Sequence, residues 1–244
     1  QTEYDAMYQY YKAHPANAGA TRLLAWKQDA TCADIEGDDT ASDGDLDIAF
    51  SLLLADRQWG SCGAIDYKAE GIAMINQIKA QELDASHRIV KLGNWATTGK
   101  YLTSTRSSDF MPDHYRSFQW ATGDSAWSGL INQTYFVVTA TANASTGLLP
   151  DFIQNALTVP VPAPANFLED AHDPDYNWNA CRDPWRLATD YLVSGDARAY
   201  AATQKIALWT QGVPISGDPT KVKAGYTLPG VRLVNYGDRA FAVP

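Results

Sequence analysis

Apolar positions along this 244-residue chain recur mostly at helical spacing. In "QTEYDAMYQYYKAH", Tyr4, Met7, Tyr8 and Tyr11 share one face, and Pro15 stops the helix. "DLDIAFSLLLADRQW" repeats the pattern through Ile48, Leu52, Ala55 and Trp59, with Gly60 just past its end. "AIDYKAEGIAMINQIKAQEL" does the same through Ile65, Ala69, Ile72, Ile75 and Ile78. Four more helices are predicted in "SDFMPDHYRSFQWAT", "SAWSGLINQTYFVVTATANAS", "DPWRLATDYLVSG" and "DARAYAATQKIALWTQ". Ser194, Gly195 and Asp196 separate the last two as a short turn followed by an N-cap.

Long polar or Gly/Pro-containing loops are predicted over residues 27–42, 82–106, 157–178 and 213–235. "SHRIVKLGNWATTGKYLTSTR" has strand character and suggests a small hairpin, while "VPVPAPANF" resembles a linker but is too short to mark a domain boundary. Amphipathic helices joined alternately by short and long connections suggest an all-α barrel or toroid. Its long loops would build one functional face and a substrate cleft. Residues 1–244 read as one domain.

With 45% hydrophobic residues the chain can bury one sizeable core. No apolar run approaches the roughly 20 residues of a bilayer span, so no membrane partner is expected. "LINQTYFVVTATANASTGLLP" is broken by polar residues and reads as a buried helix. The net charge of −9, without any basic run, argues against nucleic acid as a partner. Three cysteines are too few for a disulfide framework and lack zinc-site spacing, and no cofactor is expected. Cys32 and Cys62 are read either as a pair, if the compartment is oxidising, or as free thiols, whereas Cys181 reads as a buried free thiol.

The chemistry-bearing stretch is "ASDGDLDIAFSLLLADRQW", where Asp43, Asp45 and Asp47 alternate into a helix start. One reading is helix capping by Asp43 or Asp45, since free N–H groups and the helix dipole favour carboxylates there. A calcium loop fails, because the third-position ligand and the terminal Glu of an EF-hand are missing. A third reading is a sugar site, in which close carboxylates bond hydroxyls and push neighbouring pKa values apart. The residues alone leave the first and third open.

This stretch resembles the signature of the family 8 glycoside hydrolases: Ala, Ser, Asp, Gly, Asp, then Ile-Ala and a closing Trp. "QTEYDAMYQYYKAH", "LLAWKQD", "SSDFMPDHYRSF" and "NACRDPWRLATDYLVSGD" resemble family segments in the same order. The resemblance runs from Gln1 to Pro244. It implies an (α/α)6 toroid, secreted to the extracellular space or periplasm, that hydrolyses internal β-1,4 bonds of a polysaccharide with inversion. Cellulose-type or mixed-linkage β-glucan is the first choice of substrate, and chitosan the alternative.

Much of the family resembles a pattern with its base at an Asp three residues before the Arg of R-x-P-W-R. Here that position is Asn179, in "WNACRDPWR". The subgroup that includes chitosanases and lichenases carries Asn there and takes its base from a loop Glu about ten residues earlier. By that resemblance Glu169, in "NFLEDAHDPDYNWNA", is the general base and Asn179 orients water or substrate. Asp43 is implied to hold the distorted sugar at the cleaved bond, Asp45 to cap the helix and support that geometry from the substrate site, and Asp47 to be structural. Arg182 would pin Glu169 or a hydroxyl by charge-assisted bonds, or form an inter-helix salt bridge. Trp26 matches a family subsite aromatic, with Phe110 and Tyr115 as weaker candidates for packing on sugar C–H faces. Trp59, Trp185 and Trp209 fall on apolar faces and are expected in the core, and His114 is read as a polar loop residue.

The resemblance also shows a departure. The family's proton donor lies in a Ser-Glu-Gly-type segment upstream of the "QTEYDAMY" equivalent, and further helices follow the "NYGDRAFAVP" equivalent. The chain is therefore expected to be the central portion of a catalytic domain, with an incomplete toroid. Exposed apolar faces would favour an oligomer or a complementing chain segment. A carbohydrate-binding remnant without turnover is the rival to an endo-glycanase.

Overall fold

In the computed structural model, which describes residues 1–17, 22–35, 37, 39–212 and 215–242, all seven predicted helical segments contain helices. The chain forms two compact units, one of residues 1–102 and 114–129, the other of residues 103–113 and 130–244.

The first unit is built on α1 (Thr2–Ala13), α2 (Ser42–Trp59), α3 (Tyr67–Gln81) and the body of α4 (Pro112–Thr122). Helices α2 and α3 bury Leu46, Ala49, Leu52 and Leu53 on one side and Tyr67, Met74, Ile75 and Ile78 on the other. They approach closely at Gly71, where a Cβ would stand 3.3 Å from Leu52 Cβ and Leu53 Cδ2. On α1 the buried stripe is Tyr8 and Tyr11, and Met7 is exposed rather than sharing it. The Tyr8 hydroxyl reaches back to Glu70 on α3 at 2.7 Å. His114 is a helix residue and not a loop one: it is buried in α4, stacks on Phe50 at 4.0 Å between ring centres, and bonds Asp47 through Nε2 at 3.0 Å. Cys32 and Cys62 are both exposed free thiols.

In the second unit three short antiparallel strands run in the order β1 (Thr105–Arg106), β2 (Phe152–Gln154), β3 (Val161–Pro162). This corrects two expectations. The tail of the supposed hairpin pairs Thr105 with Ile153, far along the chain, and only a bridge between Leu83 and Val90 closes locally. "VPVPAPANF" supplies the edge strand β3, where a proline is tolerated, and is not a linker. Most of α5 (Ala126–Thr141), with α6 (Asp183–Ser194), α7 (Ala197–Gln211) and the short α8 (Arg239–Ala242), completes this unit. Gly195, at φ 70°, ends α6 in the left-handed conformation, and the Asp196 carboxylate caps α7 by accepting Arg198 N–H.

Leu148, Tyr176, Ala180, Cys181, Tyr226 and Phe241 form a buried cluster under this unit, with Trp209 packed on it. Cys181 is a buried free thiol that donates to Trp178 O at 3.1 Å, and burial pushes its pKa up to about 11. Trp59 and Trp185, expected in the core, are exposed, and Trp127 is fully buried. No helix among the described residues is long and apolar enough to cross a membrane.

Candidate active site

In the second unit, the loop carrying Glu169 is shaped by a neighbouring carboxylate. Asp173 is buried, and its oxygens accept the N–H groups of Leu168 at 2.7 Å, Glu169 at 3.2 Å and Asp170 at 3.1 Å. Asn166, in the left-handed region at φ 57°, opens the turn, and its N–H meets Asp170 O at 2.7 Å. The returning arm lies along β2, with Phe152 N–H on Asp173 O and Asp151 N–H on Asp175 O. The main chain at Glu169 is thus held by the Asp173 carboxylate and the Asn166–Asp170 turn, through groups other than the Glu169 side chain.

The Glu169 side chain is exposed, and its Oε2 accepts a hydrogen bond from Asn179 Nδ2 at 3.0 Å. The same amide nitrogen faces Asp151 Oδ2 at 3.3 Å. Asp151 is buried and collects the start of the next helical turn: its oxygens accept Asn177 N–H at 3.0 Å, Asn179 N–H at 3.1 Å and Ala180 N–H at 2.7 Å. Burial pushes Asp151 up to about 7, against the pull of those three N–H groups, and the Glu169 charge adds to the rise. An amide at position 179 can donate to both acids. A carboxylate there would add a negative charge between them.

Asp183, at the first position of α6, is fully buried and raised well above the usual carboxylate range, mainly by burial and then by Asp151. Ser107 and the half-buried Arg182 guanidinium oppose that rise. Trp178, beside Asn179, is exposed and stands edge-on to Phe241 at 5.2 Å between centres.

In the first unit, Asp43 is half-buried in the first turn of α2, whose N-cap is Ala41 without a side-chain cap bond. Neither Asp43 nor Asp45 caps this helix. Asp45 is 1% exposed and turns inward, accepting Leu24 N–H at 2.9 Å, so its placement among substrate contacts is corrected. Trp26 is 44% exposed, with its N–H on Asp39 O at 3.0 Å and the Lys27 ammonium 5.1 Å from its ring centre. Phe110 and Tyr115 are 3% and 0% exposed, Tyr115 stacking on Trp127, so neither has a face for a sugar. Asp151 and Asp173 are site-shaping residues absent from the sequence expectations. Nothing local distinguishes them from surface carboxylates. Among the described residues no group of three or more His, Cys, Asp or Glu side chains is arranged to hold a metal ion.

Helices carrying long, side-chain-braced loops with clustered carboxyls define a helical scaffold of the (α/α) class. The sequence matches the model of the glycosyl hydrolases family 8 over residues 1–235, and the chain belongs to that family. It is 46% identical to a beta-glucanase of Niallia circulans, covering all of this chain and 60% of that one. It is 36% identical to an endoglucanase of Bacillus sp. (strain KSM-330), covering all of this chain and 52% of that one. The solved apo structure of a beta-1,3-1,4-glucanase from Paenibacillus sp. X4 superposes with a TM-score of 0.93 at 46% identity, over 97% of this chain and 63% of that chain. The fold class is the (α/α)6 fold of the family. The chain spans about half to three-fifths of the length of these curated relatives.

Proposed function

We propose that this chain is the base-bearing part of a single catalytic domain that cleaves internal β-1,4 bonds of a mixed-linkage or cellulose-type β-glucan with inversion. The supporting observation is the Asn179–Glu169 bond at 3.0 Å, made on a loop braced by Asp173, in a family 8 chain. Glu169 is the general base. With Oε2 held by Asn179, Oε1 takes the proton of a water whose oxygen attacks the anomeric carbon opposite the leaving oxygen, so the configuration inverts. A second carboxyl must protonate the leaving oxygen, and no carboxyl of Gln1–Pro244 is assigned that role.

Asp43 binds the distorted sugar, Trp26 offers its ring to a sugar face, and Arg182 supplies a charge near the cleaved bond. Sequence identity of 46% to both a beta-glucanase and a solved beta-1,3-1,4-glucanase favours a mixed-linkage polymer over chitosan. Such a polymer is met outside the cell, so secretion goes with this reading. The test is release of reducing ends from soluble mixed-linkage β-glucan and from chitosan, by the wild type and Glu169→Gln, with NMR of the first anomer formed. Loss of turnover with retained glucan binding and an inverted product supports the assignment. Unchanged turnover in the variant removes Glu169 from the mechanism.

A further inference from the structure

Two buried carboxyls of the first unit take no part in the chemistry above, and their surroundings reveal their protonation. Asp45, in the first turn of α2, and Glu82, the residue closing α3, are both fully enclosed. One oxygen of each has a neutral donor: Asp45 Oδ1 accepts Leu24 N–H at 2.9 Å, and Glu82 Oε1 accepts the Thr40 hydroxyl at 2.6 Å. The Thr40 proton is committed to Glu82, since the Thr40 oxygen itself receives Asn94 N–H at 2.9 Å. The remaining oxygens, Asp45 Oδ2 and Glu82 Oε2, are buried without a donor of their own; Ser42 stands beside Glu82, but its hydroxyl proton goes to Lys91 O at 2.8 Å. Yet the two carboxyls are hydrogen-bonded to each other. Two carboxylates are acceptors only, so a bond between them needs a proton on one.

We propose that Asp45 and Glu82 hold one proton between them at neutral pH, and that this bond is a positioning lock tying the Trp26 loop to the helix start that carries Asp43. The functional half rests on the sugar-binding reading of Trp26 and Asp43; the protonation half stands without it.

The groups around the pair set its charge. Asp43, on the same turn as Asp45, disfavours a second carboxylate beside it. Lys91, on the segment after α3, interacts with both Glu82 and Asp84, whose charges favour its protonated form. From α1 comes Tyr11, a neutral phenol whose ionisation the pair opposes, and Arg22 beside Leu24 is engaged with Glu70. Burial pushes Glu82 up to about 7 and Asp45 well above the usual range. Losing the last proton would set two carboxylates against each other and free the segment held through Leu24.

The lock is read by three measurements on the whole chain. Infrared spectra at neutral pH show a protonated-carboxyl stretch in the wild-type minus Asp45→Asn difference; its absence overturns the shared proton, and no folding of a disruptive variant is needed. Asp45→Asn can donate to Glu82 and accept from Leu24 as the acid does, so Leu24 amide exchange stays within about threefold of wild type, while Asp45→Ala speeds it by about tenfold or more. Equal exchange in Asp45→Ala and wild type overturns the lock. Calorimetry with a mixed-linkage gluco-oligosaccharide follows the same order, and unchanged affinity in a folded Asp45→Ala overturns the positioning role. A wild type that binds no oligosaccharide overturns the sugar reading of the site and with it the functional half, while the infrared and exchange results still decide the pair.

Discussion

The carboxamide of Asn179 donates to Glu169 at 3.0 Å and faces Asp151 at 3.3 Å, so one neutral side chain separates two acids. It gives Glu169 a fixed orientation without adding charge, and it leaves the other Glu169 oxygen available to a water.

Replacing Glu169 by Gln keeps the size of the side chain and removes its basicity. Turnover of mixed-linkage β-glucan is expected to fall by about 10²–10⁴-fold, the usual contribution of a general base, with KM nearly unchanged. Steady-state kinetics on a soluble polymer checks it.

Asn179→Asp inserts a carboxylate between Glu169 and Asp151. A neighbouring negative charge raises the pKa of a base, so the base ionises at higher pH. The acidic limb of the kcat/KM profile is therefore expected to move upward. A limb that stays in place or moves down contradicts Glu169 as the titrating base.

Buried carboxyls with raised pKa values also shape stability. Glu82 and Asp151, each pushed up to about 7, keep their protons in the folded chain at pH values where the unfolded chain has lost them. The folded state then binds more protons, and unfolding free energy falls as pH rises from the ordinary carboxylate range through 7. Each such group adds a slope of up to about 1.4 kcal/mol per pH unit. Asp84 and Asp124, held below their usual range, act oppositely, and their contribution is lost only under more acidic conditions. Urea denaturation midpoints between pH 5 and 8 test this, and Asp151→Asn is expected to flatten the curve.

Thiol reactivity separates the cysteines. Cys32 and Cys62 are exposed and Cys181 is buried with its pKa raised to about 11. A thiol reagent is expected to label two residues quickly in the native protein and the third only on unfolding.

Trp26→Ala removes a ring whose surface is nearly half exposed, so its cost falls on binding rather than folding. A KM increase of about tenfold, the scale of about 1.4 kcal/mol, is expected with little change in melting temperature.

Helices were legible because their burial stripes are local: α2 follows the spacing of Leu52 and Ala55, and Gly195–Asp196 marks the α6–α7 turn by residue type alone. The nearness of Glu169 and Asn179 was legible only through family resemblance, since their contact spans an irregular loop. Asp151 was not legible, because its partners lie 26 to 29 residues onward and no local pattern marks it as buried. Phe110 and Tyr115 misled for a related reason. They sit in a polar stretch, but Ser107, Ser108, Asp109 and Asp113 are themselves buried, with Arg106 bonded to Asp109 at 3.1 Å. Polar composition there reflects internal pairing and not contact with water.

Asp173 grips its loop by main-chain amides alone, and that has a practical outcome. Position 168 can take any residue that keeps its N–H without disturbing the loop's course, whereas at 169 the backbone would tolerate the same change and the chemistry would not. A version blunted at 169 would also serve as a capture reagent, holding its polymer on an undamaged surface.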